Sequence, residues 1–318
     1  MSRKALMRIP LEKLMDLKID YAFKQLFGSE KNKAITIVFL NAILKRTGRD
    51  TIKEVTFKNI EIGGEHEGDK QSRLDILVTT QDNHYINVEI QFTNKYDMVK
   101  RSLYYWAQIH NDQLESGISY IHLKPTITVN ILNFNLFPQT DLFHTTFHLY
   151  EDEEKFRLDD QLELHFIEIP KLLKQWKAQL LNPWDDVLAR WLLLLGIVDH
   201  RNGRVYEELY KELEEIAMDD EHLQNAFASW QEISVSPESL PAYRARLKQV
   251  LDDEAMVIEA KYREEAALVH GKELGAQDAN ESTACNLLKK GMEIEEIAEV
   301  TGLSSERIEE LRTNMKLS

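Results

Sequence analysis

Between residues 52 and 92 the apolar positions come in short, nearly unbroken runs, whereas on either side they recur at helical spacing. The first arrangement predicts strands and the second amphipathic helices. Helices are expected over 17–27 and 31–46, then a strand near 52–62. Two β-branched runs follow at 73–80 and 84–92, with Asp82-Asn83 supplying the turn between them, so the pair predicts an antiparallel hairpin. Residues 96–115 carry a helical pattern long enough as a crossover to bring the next strand, TITVNILNF at 126–134, parallel to 84–92. Further strands are expected near 143–151 and 162–169. The predicted order αβββαβ describes an α/β fold on a mixed sheet.

From Pro170 onward the pattern turns helical. Helices are expected over 184–199, 203–218 and 221–233, then a break at 234–241 with two prolines, then a long charged helix over 242–270. That helix could pair with a second copy of the chain, although its apolar spacing is too irregular for a regular coiled coil. In residues 294–311, Ala298, Gly302 and Ile308 have helix-turn-helix spacing with Gly302 at the turn. Its second helix sets Glu306, Glu309 and Glu310 against Arg307 and Arg312, a poor surface for phosphates and a better one for packing or oligomerisation. The expected organisation is a domain over 1–170, a helical region over 171–280 and a short helix-turn-helix-like segment over 281–318.

The hairpin carries the chemistry. Asp75 opens one of its strands, and Glu89 and Gln91 close the other, so the fold of the turn brings all three to one end. Glu89 and Gln91 are two residues apart and project from the same face. Acids in strands commonly face solvent or a salt bridge. Here Glu89 lies among Ile86, Val88, Ile90 and Phe92, and Asp75 precedes Ile76, Leu77 and Val78, so both strands read as buried. Buried paired carboxylates repel each other unless a cation lies between them. Mg2+, or Mn2+ in its place, takes such oxygen ligands together with water and phosphate.

Asp75, then Glu89 after thirteen intervening residues, then a polar group two residues on resembles the D…(E/D)xK signature of the PD-(D/E)xK nuclease superfamily. More narrowly, the segments IDYAFKQLFG (from Ile19), FLNAIL (from Phe39), VEIQ (from Val88), KRSLYYWAQIHNDQLESGISY (from Lys100) and HFIEIPK (from His165) resemble its recombination-promoting nuclease/transposase family. The resemblance covers about the first 170 residues well. It implies a restriction-endonuclease-like core followed by an α-helical region, and Mg2+-dependent hydrolysis of DNA phosphodiesters. Asp75 and Glu89 would then be metal ligands, and Asp20 a third from the first helix. An N-cap is the other reading of Asp20.

One departure matters. The superfamily's lysine is Gln91 here, and glutamine cannot take a proton from water. The base would then be water made acidic by the ion, with Gln91 orienting it or ligating through its carbonyl. Arg101 is the expected stabiliser of transition-state charge. Lys24, Lys95 and Lys100 are candidates for contact with nucleic acid, although the last two read better as a solvated helix start, a reading that Arg101 shares equally with its catalytic one. GGEHEG at 63–68 is a polar loop placed either to meet substrate or only to connect.

The formal charge of −15 argues against nucleic-acid binding only until it is divided along the chain. Residues 1–150 hold 19 Lys and Arg against 17 Asp and Glu, residues 151–318 hold 20 against 37, and residues 1–60 alone hold 13 against 6. Phosphate contacts need local basicity, not global. One cysteine, Cys285, excludes an internal disulfide and suits a reducing compartment. No run approaches the roughly 20 apolar residues that span a bilayer. The N-terminus lacks a secretory pattern, and no zinc motif is present. A cytoplasmic protein acting on DNA and not on membranes is expected. The alternative is a DNA-binding or regulatory protein on a nuclease fold that has lost turnover with its lysine.

Overall fold

The computed structural model describes residues 9–58, 61–62, 72–94, 97–114, 117 and 119–317. The helices are α1 (Asp20–Phe27), α2 (Lys33–Ile43), α3 (Met98–Asn111), α4 (Ile169–Lys177), α5 (Val187–Gly196), α6 (Glu207–Ala217), α7 (Glu221–Val235), α8 (Ser239–Lys289), α9 (Ile294–Thr301) and α10 (Ser305–Leu317). The strands are β1 (Val55–Phe57), β2 (Glu61–Ile62), β3 (Ser72–Arg73), β4 (Ile76–Thr80), β5 (Tyr85–Gln91), β6 (Thr126–Leu132), β7 (His144–Phe147), β8 (Leu162–Glu168), β9 (Val198–Asp199) and β10 (Arg204–Val205).

Six strands form one mixed sheet in the order β1-β4-β5-β6-β8-β7. β4 and β5 are antiparallel, with Ile76 opposite Val88, and the turn between them places Asn83 at φ 63°, a left-handed conformation that asparagine tolerates. β5, β6 and β8 run parallel, as the α3 crossover requires. Helices cover both faces of the sheet, so β5 and β6 are buried almost continuously and do not alternate. Ile86, Val88 and Ile90 enter the main core with Ile76, Val78, Ile127, Val129 and Ile131.

The same core takes in Phe23, Phe27, Phe39, Trp191, Phe227, Trp230, Tyr243 and Val250. Helices α5, α6 and α7 and the start of α8 therefore share the interior of the sheet domain. Chain contacts divide the molecule into Met1–Glu254 and Ala255–Ser318, inside α8. Within the second unit the end of α8, α9 and α10 close a small core of Ala284, Ile297 and Ile308. Gly302, at φ 70°, ends α9 in the left-handed conformation that the helix-turn-helix spacing anticipates.

The first helix is shorter than its pattern suggests. Asp16 Oδ1 accepts the backbone N–H of Lys18 at 2.9 Å and its ammonium at 2.8 Å, a local turn that takes residues 16–18 out of the helix. Asp20 is the first residue of α1 and Ile19 the cap, so Asp20 does not occupy the N-cap position. The long helix reaches Lys289 instead of ending near 270, and Pro241 lies in its first turn, where no intrahelical N–H is needed.

Candidate active site

The register of the hairpin sets Asp75 opposite Glu89, one step beyond the pair of Ile76 and Val88. Their side chains extend the hairpin's hydrogen bonding. The Asp75 N–H donates to Glu89 Oε1 at 3.1 Å, and the Ile90 N–H donates to Asp75 Oδ2 at 2.9 Å. Glu89 has no exposure and Asp75 has 8%. Each carboxylate keeps one oxygen for a cation: Lys24 Nζ lies 2.8 Å from Asp75 Oδ1, and Arg101 Nη2 lies 3.2 Å from Glu89 Oε2.

Arg101 comes from α3, which covers the face of β5 that bears Glu89 and Gln91. Its Nη1 donates to Gln91 Oε1 at 3.0 Å and its Nε to the Tyr105 hydroxyl at 2.9 Å. The guanidinium is therefore fixed at three points beside the acids, and Gln91 is one of them. Burial, reinforced by the charge of Asp75, pushes the Glu89 carboxyl up to about 8 against the pull of Arg101. Burial also raises Asp75, opposed first by Lys24.

These residues border a cavity of 460 Å³ whose lining includes Lys18, Asp20, Lys24, Asp75, Gln91 and Arg101. Of the residues singled out in the sequence, Asp20, Lys24, Asp75, Gln91 and Arg101 meet at this cavity, with Glu89 hydrogen-bonded to Asp75 behind it. Asp20 Oδ1 accepts the Tyr21 N–H at 2.9 Å and pairs with Arg246 Nε at 2.6 Å. Lys100 stands in solvent, ion-paired with Asp97 at 2.9 Å. Lys95 and the 63–68 loop lie outside the described residues. Of the neighbouring α3 tyrosines, Tyr105 is buried under Arg101 and Tyr104 is exposed.

Three lining residues carry no sequence signal for this role: Arg246, Val250 and Asp253 of α8. They are spaced four and three apart, on one face of a helix that the sequence presents only as charged. Lys18 also reaches the lining, but Asp16 and the carbonyls of Leu195 and Val198 satisfy its ammonium in the interior.

Among the described residues no three or more His, Cys, Asp or Glu side chains gather as a metal cage. Two adjacent carboxylates with an amide oxygen nearby make an all-oxygen donor set. Such a set suits an ion that draws its other ligands from water and phosphate. Burial raises both carboxyls by more than Lys24 and Arg101 lower them, a penalty on the ionised pair that a divalent cation would relieve.

Among the described residues no helix is long and apolar enough to cross a membrane. No curated protein and no solved structure matches the chain. The family model described as PD-(D/E)XK nuclease family transposase matches residues 17–260, from just before α1 to the early turns of α8, and so takes in the sheet, the paired acids and the α8 wall of the cavity. With the mixed sheet and its Asp75–Glu89 hairpin in place over that same span, the chain belongs to the PD-(D/E)XK nuclease family transposases.

Proposed function

We propose that this protein is a Mg2+-dependent DNA endonuclease, with Mn2+ able to replace Mg2+, that hydrolyses phosphodiester bonds in the service of DNA recombination. The observation that carries the reading is the pair Asp75 and Glu89, locked side by side through the Asp75 amide at the edge of a cavity with Lys24 and Arg101. Asp75 and Glu89 would hold the metal, which supplies Lewis acidity toward water and the scissile phosphate. Lys24 and Arg101 offer positive charge where the phosphate gathers negative charge in the transition state. Gln91 holds Arg101 in that position through its amide oxygen.

A purified sample incubated with plasmid and linear DNA in Mg2+ tests this. Cleavage that disappears in both Asp75→Asn and Glu89→Gln supports it. A second reading, a DNA-binding or regulatory protein without turnover, draws on one specific observation. Both acids already hold monovalent partners, and the motif's lysine is replaced by Gln91. Metal-independent DNA binding with no cleavage of any DNA form decides for that reading.

A further inference from the structure

α8 contributes Arg246, Val250 and Asp253 to the cavity, and this part of the helix is firmly held. Three residues before Arg246, the buried Tyr243 hydroxyl accepts the Asp16 N–H at 2.8 Å and meets His200 Nδ1 at 2.8 Å. Val250 is buried in the main core, and Glu254 pairs with Arg201 at 2.6 Å. Arg246 is thus bracketed by anchors, which limits the entropy lost when it meets a ligand. Its Nε lies 2.6 Å from Asp20 Oδ1 and its Nη1 donates to Gln249 Oε1 at 2.8 Å.

A purely structural ion pair is a weak explanation for this arrangement. The Arg246 side chain is 37% exposed and that of Asp20 20%, and partly solvated pairs contribute little to stability. Guanidinium forks match phosphate as they match carboxylate. We infer that Arg246 is a ligand for a backbone phosphate of bound DNA, and that Asp20 is the residue that holds its guanidinium at the cavity until DNA arrives, rather than a metal ligand. The inference rests on the nuclease reading of the cavity and adds to it a residue from outside the sheet.

Binding of a fluorescein-labelled DNA duplex by the full-length protein, in Ca2+ to prevent turnover, is measured by anisotropy over a series of KCl concentrations. Loss of one phosphate contact lowers the slope of log K against log salt by about one unit. Arg246→Gln is expected to show that fall with several-fold weaker binding, whereas Arg246→Lys keeps the slope. Asp20→Asn is expected to bind Mn2+ as wild type does, read by electron paramagnetic resonance, and to bind DNA at least as tightly, because the carboxylate that competes with phosphate is gone. An unchanged slope in Arg246→Gln overturns the assignment, as does a loss of about tenfold or more in Mn2+ affinity in Asp20→Asn, the size expected when a metal's own ligand sphere is disturbed. Should Arg246→Gln melt well below wild type, the two Asp20→Asn readouts decide alone. Wild-type protein that binds DNA with the full salt slope but never cleaves it in Mg2+ removes the nuclease reading and leaves the Arg246 assignment standing. Cleavage by wild type with an unchanged Arg246→Gln slope does the opposite.

Discussion

At Glu89, burial and the neighbouring charge of Asp75 both favour the protonated carboxyl, which titrates near 8 instead of the usual 4.5. An acid whose pKa is higher folded than unfolded binds its proton more tightly in the native state. Through that window the unfolded chain has already released the proton, so stability falls as pH rises. Metal-free wild type is therefore expected to melt at progressively lower temperature as pH is raised from 5 toward about 9. Glu89→Gln should flatten the curve, and Mg2+ should flatten it in wild type by favouring the carboxylate. A curve of equal steepness in Glu89→Gln would place the titrating group elsewhere. Gln91 gives a second expectation. A lysine there would set an ammonium against Arg101, whose Nη1 now sits 3.0 Å from the amide oxygen. Gln91→Lys alone should lose activity, and adding Arg101→Ala should recover part of it. Simple additivity of the two changes would mean that the residues do not act as a unit.

The hairpin shows why some elements can be read from sequence and others cannot. Its strands and turn are legible because β-branched runs flank Asp82-Asn83, and local preference there agrees with the tertiary register. The ends of the elements depend on distant partners. The start of α1 is set by the Asp16–Lys18 turn, whose ammonium is completed by carbonyls of Leu195 and Val198 far along the chain. The close approach of α1 to β4 is likewise invisible in the sequence. At Gly28 an added Cβ would come within 2.9 Å of the Lys24 carbonyl oxygen and 3.2 Å of Ile76 Cγ1. Gly28→Ala should therefore push the end of α1 off the strand that Asp75 precedes. The expected loss is about 1–3 kcal/mol of stability, as for other overpacked sites, with a lower cleavage rate. Chemical denaturation and a cleavage assay check it, and a wild-type midpoint would show that the contact relaxes freely.

At the scale of the molecule, the helical region expected from 171 shares the sheet's core, because α5, α6 and α7 bury Trp191, Leu213, Phe227 and Trp230 with Phe23 and Phe39. Binary patterning marks these helices as amphipathic but does not say against what they pack. The acids of the candidate site can be found from sequence since fourteen residues and one turn join them; Arg246 cannot, being 226 residues from its partner Asp20. Truncation separates the parts. A chain ending at residue 260 should fold and keep DNA cleavage, while one ending at 238 loses the wall of the cavity and, with Tyr243 and Val250, part of the core. Circular dichroism melts and plasmid cleavage compare the two, and an active 238-residue chain would exclude α8 from the site. Beyond Glu254, α8 exposes Ile258, Tyr262, Val269 and Leu274, apolar side chains that a second copy could cover. We expect light scattering to report a dimer that reverts to monomer in the 260-residue chain. The long reach between Asp20 and Arg246 also has a meaning for synthesis. Both acids leave the ribosome early, but the cavity that would use them closes only when α8 has emerged, so an unfinished chain carries the chemistry without the vessel, and a cell translating this protein meets a complete site only once nearly all of the first unit has been made.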